Sequence, residues 1–121
     1  MNLTTSNREI GVVTIVDVSG RIVLGEESAA LRTVIADLLK QERKLILLNL
    51  AQASYIDSAG LGTLVSSFAS VKNQGGQLKL LNLTQKVHDL MQITKLYTVF
   101  DVRNDEVAAV NSFHESAATG A

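Results

Sequence analysis

The sequence predicts one α/β domain built on a mixed, mostly parallel β-sheet, with an opening hairpin and about four helices. Segments of strand composition alternate with segments of helical periodicity along the 121 residues. Every strand after the first two is joined to the next by a helix, as parallel crossovers require. Since no linker, charge run or low-complexity segment divides the chain, we expect a single domain over residues 1–121.

The first part of the chain predicts a hairpin, a helix and a central strand. A β-branched run over 12–18 follows a polar segment and Gly11, which indicates two antiparallel strands. Residues 26–44 predict an amphipathic helix. Its apolar stripe, at steps of three and four, is formed by Leu31, Val34, Ile35, Leu38 and Leu39. The continuous apolar run LILLNL, residues 45–50, is typical of a strand covered on both faces.

The rest of the chain repeats this alternation of helix and strand. Apolar spacing predicts a helix over 61–71, which ends before the NQGG break at 73–76, and then a strand over 77–83. A helix over 84–96, an edge strand over 99–103 and a weaker final helix over 105–116 follow. The last four residues, ATGA, are expected to fray.

The composition narrows the classes of function. With 11 basic and 12 acidic residues, the formal net charge of −1 gives no global field to hold nucleic acid or an anionic membrane. The absence of cysteine excludes disulfides, thiolate zinc sites and iron–sulfur clusters. The N-terminal segment lacks the basic start and apolar run of a signal peptide. We therefore expect a cytoplasmic protein without a cofactor or metal and without direct contact to nucleic acid or membrane.

The stretch YIDSAGLGTLVSS, residues 55–67, places an acid, a hydroxyl and two glycines where a strand gives way to a helix. Functional groups collect at such junctions in open α/β sheets. In a purely structural interpretation, Asp57 or Ser58 caps the helix, while Gly60 and Gly62 allow the backbone to approach a neighbouring strand. In a functional interpretation, Ser58 is a nucleophile, a phosphate-binding group or a switch.

Catalytic interpretations of Ser58 lack the residues they need. A serine nucleophile requires a base, and the two histidines, His88 and His114, lie in predicted helices with no sequence context that ties them to Ser58. Both are expected to be solvated or half-buried. The sequence contains neither a G-x-S-x-G elbow nor a phosphate-binding G-x-x-x-x-G-K-[ST] loop. We therefore expect a protein that is not an enzyme.

The motif and its flanks resemble the STAS domain of bacterial anti-sigma factor antagonists. The most specific part is a D-S-x-G-L-G segment between a hydrophobic strand and an apolar helix. Here it consists of Asp57, Ser58, Ala59, Gly60, Leu61 and Gly62. The later segment KNQGGQLKLLNL agrees as well, so the similarity covers nearly the whole chain.

The resemblance implies a protein that switches partners. In this family the serine after the aspartate, here Ser58, is phosphorylated by an anti-sigma factor that is also an ATP-using serine kinase, and a serine/threonine phosphatase reverses the reaction. The unphosphorylated antagonist binds the anti-sigma factor and frees the sigma factor. We expect residues 57–62 to form the partner-binding loop, with Ser58 capping its helix at rest. Exposed flanking residues, namely Ser54, Tyr55 and Thr63, are further candidates.

The chain departs from the family pattern at two places. Ala59 stands where a second serine is common, which leaves one hydroxyl at the tip of the loop. Arg21 and Val23 stand where many members carry an acidic pair, although Glu26 and Glu27 follow closely. Two other functions stay open. One is a STAS scaffold subunit of a transporter, lipid-export or sensory complex, with Ser58 as a cap only; the other is a small enzyme or nucleotide-binding protein.

Overall fold

The computed structural model describes the backbone of residues 3–120 and the side chains of residues 3–114. The predicted order of elements is confirmed. The elements are β1 (Leu3–Ile10), β2 (Val13–Ile22), α1 (Glu26–Lys40), β3 (Leu45–Ile56), α2 (Ser58–Asn73), β4 (Gln77–Leu81), α3 (Gln85–Thr94), β5 (Val102–Arg103) and α4 (Glu106–Gly120), with a short 3₁₀ turn at Leu96–Thr98. In the described part of the chain, no helix has the length and hydrophobicity needed to cross a bilayer.

The strands form one five-stranded sheet in the order β1-β2-β3-β4-β5. The opening hairpin is antiparallel, from Leu3 opposite Gly20 to Ile10 opposite Val13. Gly11 opens its turn with a φ of +61°, a conformation that glycine adopts at no steric cost. The other strand pairs are parallel. The prediction of a mixed sheet with the 45–50 strand at its centre is therefore confirmed.

Two layers of helices cover the sheet. Because side chains alternate along a strand, Ile46 and Leu48 of β3 pack into the larger core with α1, α2 and α3, while Leu47 points to the other face. There it joins a smaller core with Phe113 and Ala109 of α4. The central strand is thus buried on both faces, as its unbroken apolar run predicts.

Strand β3 is longer than its apolar run. It continues through residues 51–56, where Gln52 pairs with Ser19 and Ile56 pairs with Ile22 of β2. Pairing with a neighbouring strand extends β3 beyond the point where its composition stops being hydrophobic. This extension brings β2 and β3 to the same edge of the sheet, directly below the first turn of α2.

Helix α3 is shorter than its predicted range of 84–96, because Thr84 is its N-cap and Lys95 behind it is left-handed with a φ of +63°.

Three other elements are also shorter than predicted, each for a local reason. Helix α1 ends at Lys40, and Glu42 behind it adopts a left-handed φ of +63°. Strand β4 ends at Leu81, since Asn82 is left-handed with a φ of +57°. The edge strand is reduced to Val102 and Arg103 because the 3₁₀ turn takes up the chain before it. Helix α4 is longer than predicted in its backbone, and the side chains of the ATGA end lie outside the described residues.

Polar contacts fasten α4 to the sheet. The Nζ of Lys79, whose residue is only 5% exposed, donates to the Ser112 carbonyl at 3.0 Å and lies 3.2 Å from the Asp101 carboxylate. At the other end, Arg8 of β1 binds Asp17 at 2.7 Å and Glu106 at 2.5 Å. Hydrogen bonds from the Arg8 guanidinium hold the pKa of both carboxyl groups below their usual values.

Candidate functional site

Asp57 forms the N-cap of α2. Its backbone is extended, with a φ of −100° and a ψ of −179°, and its Oδ1 accepts the Gly60 N–H at 2.7 Å. The first helical hydrogen bond runs from the Leu61 N–H to the Asp57 carbonyl at 2.9 Å. Asp57 therefore satisfies a backbone donor that would otherwise lack an acceptor at the start of the helix.

The second oxygen of Asp57 ties the cap to the loop after β2. Oδ2 accepts the Leu24 N–H at 3.1 Å, and the Asp57 N–H donates to the Ile22 carbonyl at 3.3 Å. Because backbone N–H groups, first that of Gly60 and then that of Leu24, stabilise the carboxylate, the pKa of Asp57 lies below its ordinary value. The ionised side chain thus joins α2 to the loop leading to α1, and the backbone N–H of the same residue adds a link to β2.

Ser58 is the first residue of α2, and the structure corrects the expectation that it caps the helix. The cap position belongs to Asp57, whose carboxylate reaches the N–H groups ahead of it. The Ser58 side chain is exposed, and the described residues place no hydrogen-bond partner on its Oγ. Its hydroxyl therefore stands at a helix N-terminus, a favourable place for negative charge, without a structural task.

The two glycines of the motif differ in their surroundings. Gly60 is buried against the end of β2, so that an added Cβ would lie 2.7 Å from the Ile22 carbonyl carbon and still closer to its oxygen. The predicted close approach of backbones is confirmed there. The same prediction of a close approach is wrong for Gly62, because a Cβ at this exposed position would meet no atom within 4 Å.

The remaining residues of the predicted loop differ in accessibility. Leu61 is buried in the larger core, and Ala59 is half-buried. Of the flanking candidates, Ser54 is exposed and Tyr55 is 42% exposed. The expectation for Thr63 is wrong: it is only 1% exposed, because its hydroxyl turns back to the helix and donates to the Ala59 carbonyl at 3.2 Å. The exposed residues of the motif and its flanks are therefore Ser54, Tyr55, Ser58 and Gly62.

Sequence reasoning missed two cations that meet on Tyr55. The guanidinium carbon of Arg21 lies 5.8 Å from the centre of the ring, and the Nζ of Lys86 lies 5.9 Å from it. Arg21 stands opposite Tyr55 in the parallel pair of β2 and β3, whereas Lys86 comes from the first turn of α3. The departure from the family pattern at Arg21 was the available signal, but nothing in the sequence places Lys86 beside it.

The acidic and histidine side chains of the described chain do not gather into a metal site. Within the described residues, no group of three His, Asp or Glu side chains could hold a metal ion. His88 and His114 are both exposed, and His88 lies 3.5 Å from Asp89 in its own helix. What remains at the junction is a solvent-facing hydroxyl, a row of helix N-terminal N–H groups and an exposed aromatic ring between two cations.

Residues 4–109 match the family model of the STAS domain. The chain belongs to the STAS domain family. A 53-residue stretch is 47% identical to the anti-sigma-B factor antagonist of Bacillus subtilis and covers 44% of this chain and 49% of that protein. This STAS domain thus matches about half the length of that curated relative.

Two solved structures share the fold of this STAS domain. A crystal structure of an anti-sigma factor antagonist from Mycobacterium paratuberculosis superposes with a TM-score of 0.79 at 18% identity, covering 93% of this chain and 94% of the other. The Bacillus cell fate determinant SpoIIAA in its phosphorylated form superposes with a TM-score of 0.70 at 17% identity, covering 90% and 98%. At these identities the likeness shows the fold: a STAS α/β domain with a five-stranded mixed sheet.

Replacing Asp57 with Ala is expected to lower the free energy of unfolding by about 1–2 kcal/mol at pH 7, since a helix cap is lost. The contribution depends on pH. Because the pKa of Asp57 is lower in the folded than in the unfolded protein, its stabilisation is complete above about pH 4 and is lost as the pH falls below that value. Urea unfolding at pH 7 and pH 3 measures both effects: the difference between wild type and variant should shrink at pH 3.

The control for this prediction is Asp37→Ala. Asp37 is an exposed acid on α1, and its change should alter stability by less than about 0.5 kcal/mol at either pH. An Asp57→Ala penalty that stays the same at pH 3, or one no larger than that of the control, would contradict the role of the carboxylate.

Proposed function

We propose that this STAS domain is an anti-sigma factor antagonist controlled by phosphorylation of Ser58. In the unphosphorylated state it binds an anti-sigma factor that is also a serine kinase, and a sigma factor is released. Phosphorylation of Ser58 ends that binding, and a serine/threonine phosphatase restores it. The chain acts as a binding protein, not as an enzyme, and a cytoplasmic location is part of this proposal.

One observation carries the proposal: the Ser58 hydroxyl is exposed and without a hydrogen-bond partner among the described residues, while Asp57 does the capping. A kinase that takes Ser58 into its active site would break no hydrogen bond of that side chain with the described residues. Its Oγ would form a bond to the γ-phosphorus of ATP as the bond to the ADP oxygen breaks, and the hydroxyl proton would pass to a base of the kinase.

The names of similar proteins agree with this proposal. The B. subtilis relative is an anti-sigma-B factor antagonist, and the SpoIIAA structure is that of a phosphorylated protein. The balanced charge of the chain suits a regulator that reaches transcription through a protein partner rather than through DNA. The alternative of a scaffold subunit predicts a partner whose binding does not depend on Ser58 or ATP.

The test uses the anti-sigma factors encoded by the organism that makes this chain, each mixed with the purified protein, ATP and magnesium. Intact-mass spectrometry should show one phosphoryl group on wild type and on Ser70→Ala, and none on Ser58→Ala. Ser70 is the matched control because it is an exposed serine on the same helix. Labelling of Ser58→Ala at the wild-type rate, or stable binding by an anti-sigma factor that never phosphorylates the protein, would overturn the proposal.

A further inference from the structure

A cationic patch, formed by Arg21, Lys86 and the ring of Tyr55 between them, lies at the carboxyl edge of the sheet. Both cations are within 6 Å of the ring centre, the range of a cation–π contact. Arg21 and Lys86 are exposed, as is Tyr55. The ring thus holds two positive charges at one place on the surface.

These two charges are not neutralised by the fold. Within the described residues, neither Arg21 nor Lys86 has a carboxylate within ion-pair distance. By contrast, Arg8 of β1 is paired with Asp17 and Glu106, and Arg43, in the loop before β3, is paired with Glu9. Other cations of the described chain also lack an ion-pair partner, but Arg21 and Lys86 are brought together on one exposed aromatic ring.

The cationic patch adjoins the Ser58 hydroxyl. Tyr55 precedes Ser58 by three residues, or about 10 Å of extended chain. Next to the Arg21–Tyr55 pair, Ile22 pairs with Ile56, and its carbonyl accepts the Asp57 N–H at 3.3 Å. A protein surface that covers Ser58 therefore also reaches the patch.

The acidic side chains near the patch either accept hydrogen bonds from other groups or lie on α1, which does not contribute to the patch. Asp57 is engaged by the N–H groups of Gly60 and Leu24, and Asp89 accepts a hydrogen bond from Gln85 at 2.7 Å. Glu26 and Glu27 stand on the first turn of α1, where the helix dipole favours them. None of these carboxylates forms an ion pair with the patch in the described structure.

We propose that the cationic patch binds an acidic surface of the anti-sigma factor and sets which anti-sigma factor this protein recognises. The inference rests on the proposed function and adds the chemistry of the partner. Rim charges of this kind raise the association rate and select against partners of the same charge, while an exposed tyrosine supplies contact area at the centre. A nucleic-acid backbone would need many more cations than two.

An acidic partner also accounts for the sign of the switch. A phosphate on Ser58 adds about −1.5 to −2 charges beside the patch. It repels the acidic surface of the partner and, at the same time, competes with that surface for Arg21 and Lys86. Two effects of one modification therefore act in the same direction, against binding.

The test measures the association rate and the Kd for the anti-sigma factor by surface plasmon resonance at low and high NaCl. The double variant Arg21→Glu/Lys86→Glu should bind about tenfold to hundredfold more weakly at low salt, mainly through slower association, and the gap should narrow at high salt. The neutral double variant Arg21→Gln/Lys86→Gln should show an intermediate loss. The control, Lys40→Glu, reverses an exposed charge at the far end of α1 and should stay within about twofold of wild type.

The outcomes separate this inference from the proposed function. If Ser58→Glu blocks binding but the charge-reversed double variant binds like wild type or like Lys40→Glu, only the inference is overturned. If no anti-sigma factor binds wild type, or if Ser58→Glu binds as well as wild type, the proposed function fails and the inference fails with it. Restored binding of Arg21→Glu to an anti-sigma factor with one surface acid changed to Lys would give the strongest support.

Discussion

Replacing Gly60 with Ala is expected to destabilise the fold by about 3 kcal/mol or more, although alanine is the better helix former by about 1 kcal/mol. The added Cβ would lie 2.7 Å from the carbonyl carbon of Ile22 and closer still to its oxygen. That carbonyl cannot swing aside, since it accepts the Asp57 N–H and lies at the end of the β2–β3 pairing. Helix α2 would have to move away from the sheet, and its buried Leu61 and Leu64 would move with it.

The matched control is Gly62→Ala, two residues further along the same helix. A Cβ there meets no atom within 4 Å, so the gain in helix propensity should appear as about 0.5–1 kcal/mol of added stability. Urea unfolding of both variants measures the contrast, which should reach about 4 kcal/mol. Equal effects of the two substitutions, or a stable Gly60→Ala protein, would show that the close approach at Ile22 does not constrain α2.

This pair of glycines shows where sequence reasoning stops. Gly60 and Gly62 occupy equivalent places in a G-x-G pattern, and their neighbours predict the same close approach for both. Helical rotation turns one toward the end of β2 and the other toward solvent. Which of the two faces the sheet depends on where the helix begins, and that is decided by the cap at Asp57.

The fold itself was predictable because local patterns and chain order agree. Continuous apolar runs indicated buried strands, helical spacing indicated the covering helices, and crossovers between strands indicated parallel pairing. The boundaries were less predictable, since β3 is extended by pairing with β2 and since Glu42 and Asn82 leave their elements through left-handed backbone. Such ends are set by tertiary contacts rather than by the composition of the segment.

The position of the candidate site could be predicted from the sequence, but the structural role of each residue in it could not. Both Asp57 and Ser58 are good caps by residue type, and the geometry gives the task to Asp57 alone. Thr63 turned out to be buried. The contact of Lys86 with Tyr55 joins α3 to β3 across about thirty residues of chain, a distance at which a single sequence carries no pairing information.

Replacing Ser58 with Glu is expected to weaken binding of the anti-sigma factor at least about a hundredfold while changing folding stability by less than about 1 kcal/mol. The fold tolerates the charge because the first turn of a helix favours anions. The complex does not, because a partner pressed onto this exposed position must desolvate a second carboxylate beside Asp57. An uncompensated buried charge costs about 3–5 kcal/mol, and every 1.4 kcal/mol is about a factor of ten in Kd.

Ser70→Glu is the control, since it adds the same charge to an exposed serine about 18 Å further along α2. Titration calorimetry with the anti-sigma factor should give a Kd for Ser70→Glu within about threefold of wild type, and thermal unfolding should show that both variants are folded. If the two substitutions weakened binding equally, net charge rather than the position of Ser58 would govern the complex. If Ser58→Glu instead unfolded the protein, the first turn of α2 would be a structural element that phosphorylation breaks, and binding would be lost through the fold. A folded Ser58→Glu protein that fails to bind places the effect at the contact surface, where the charge meets the partner.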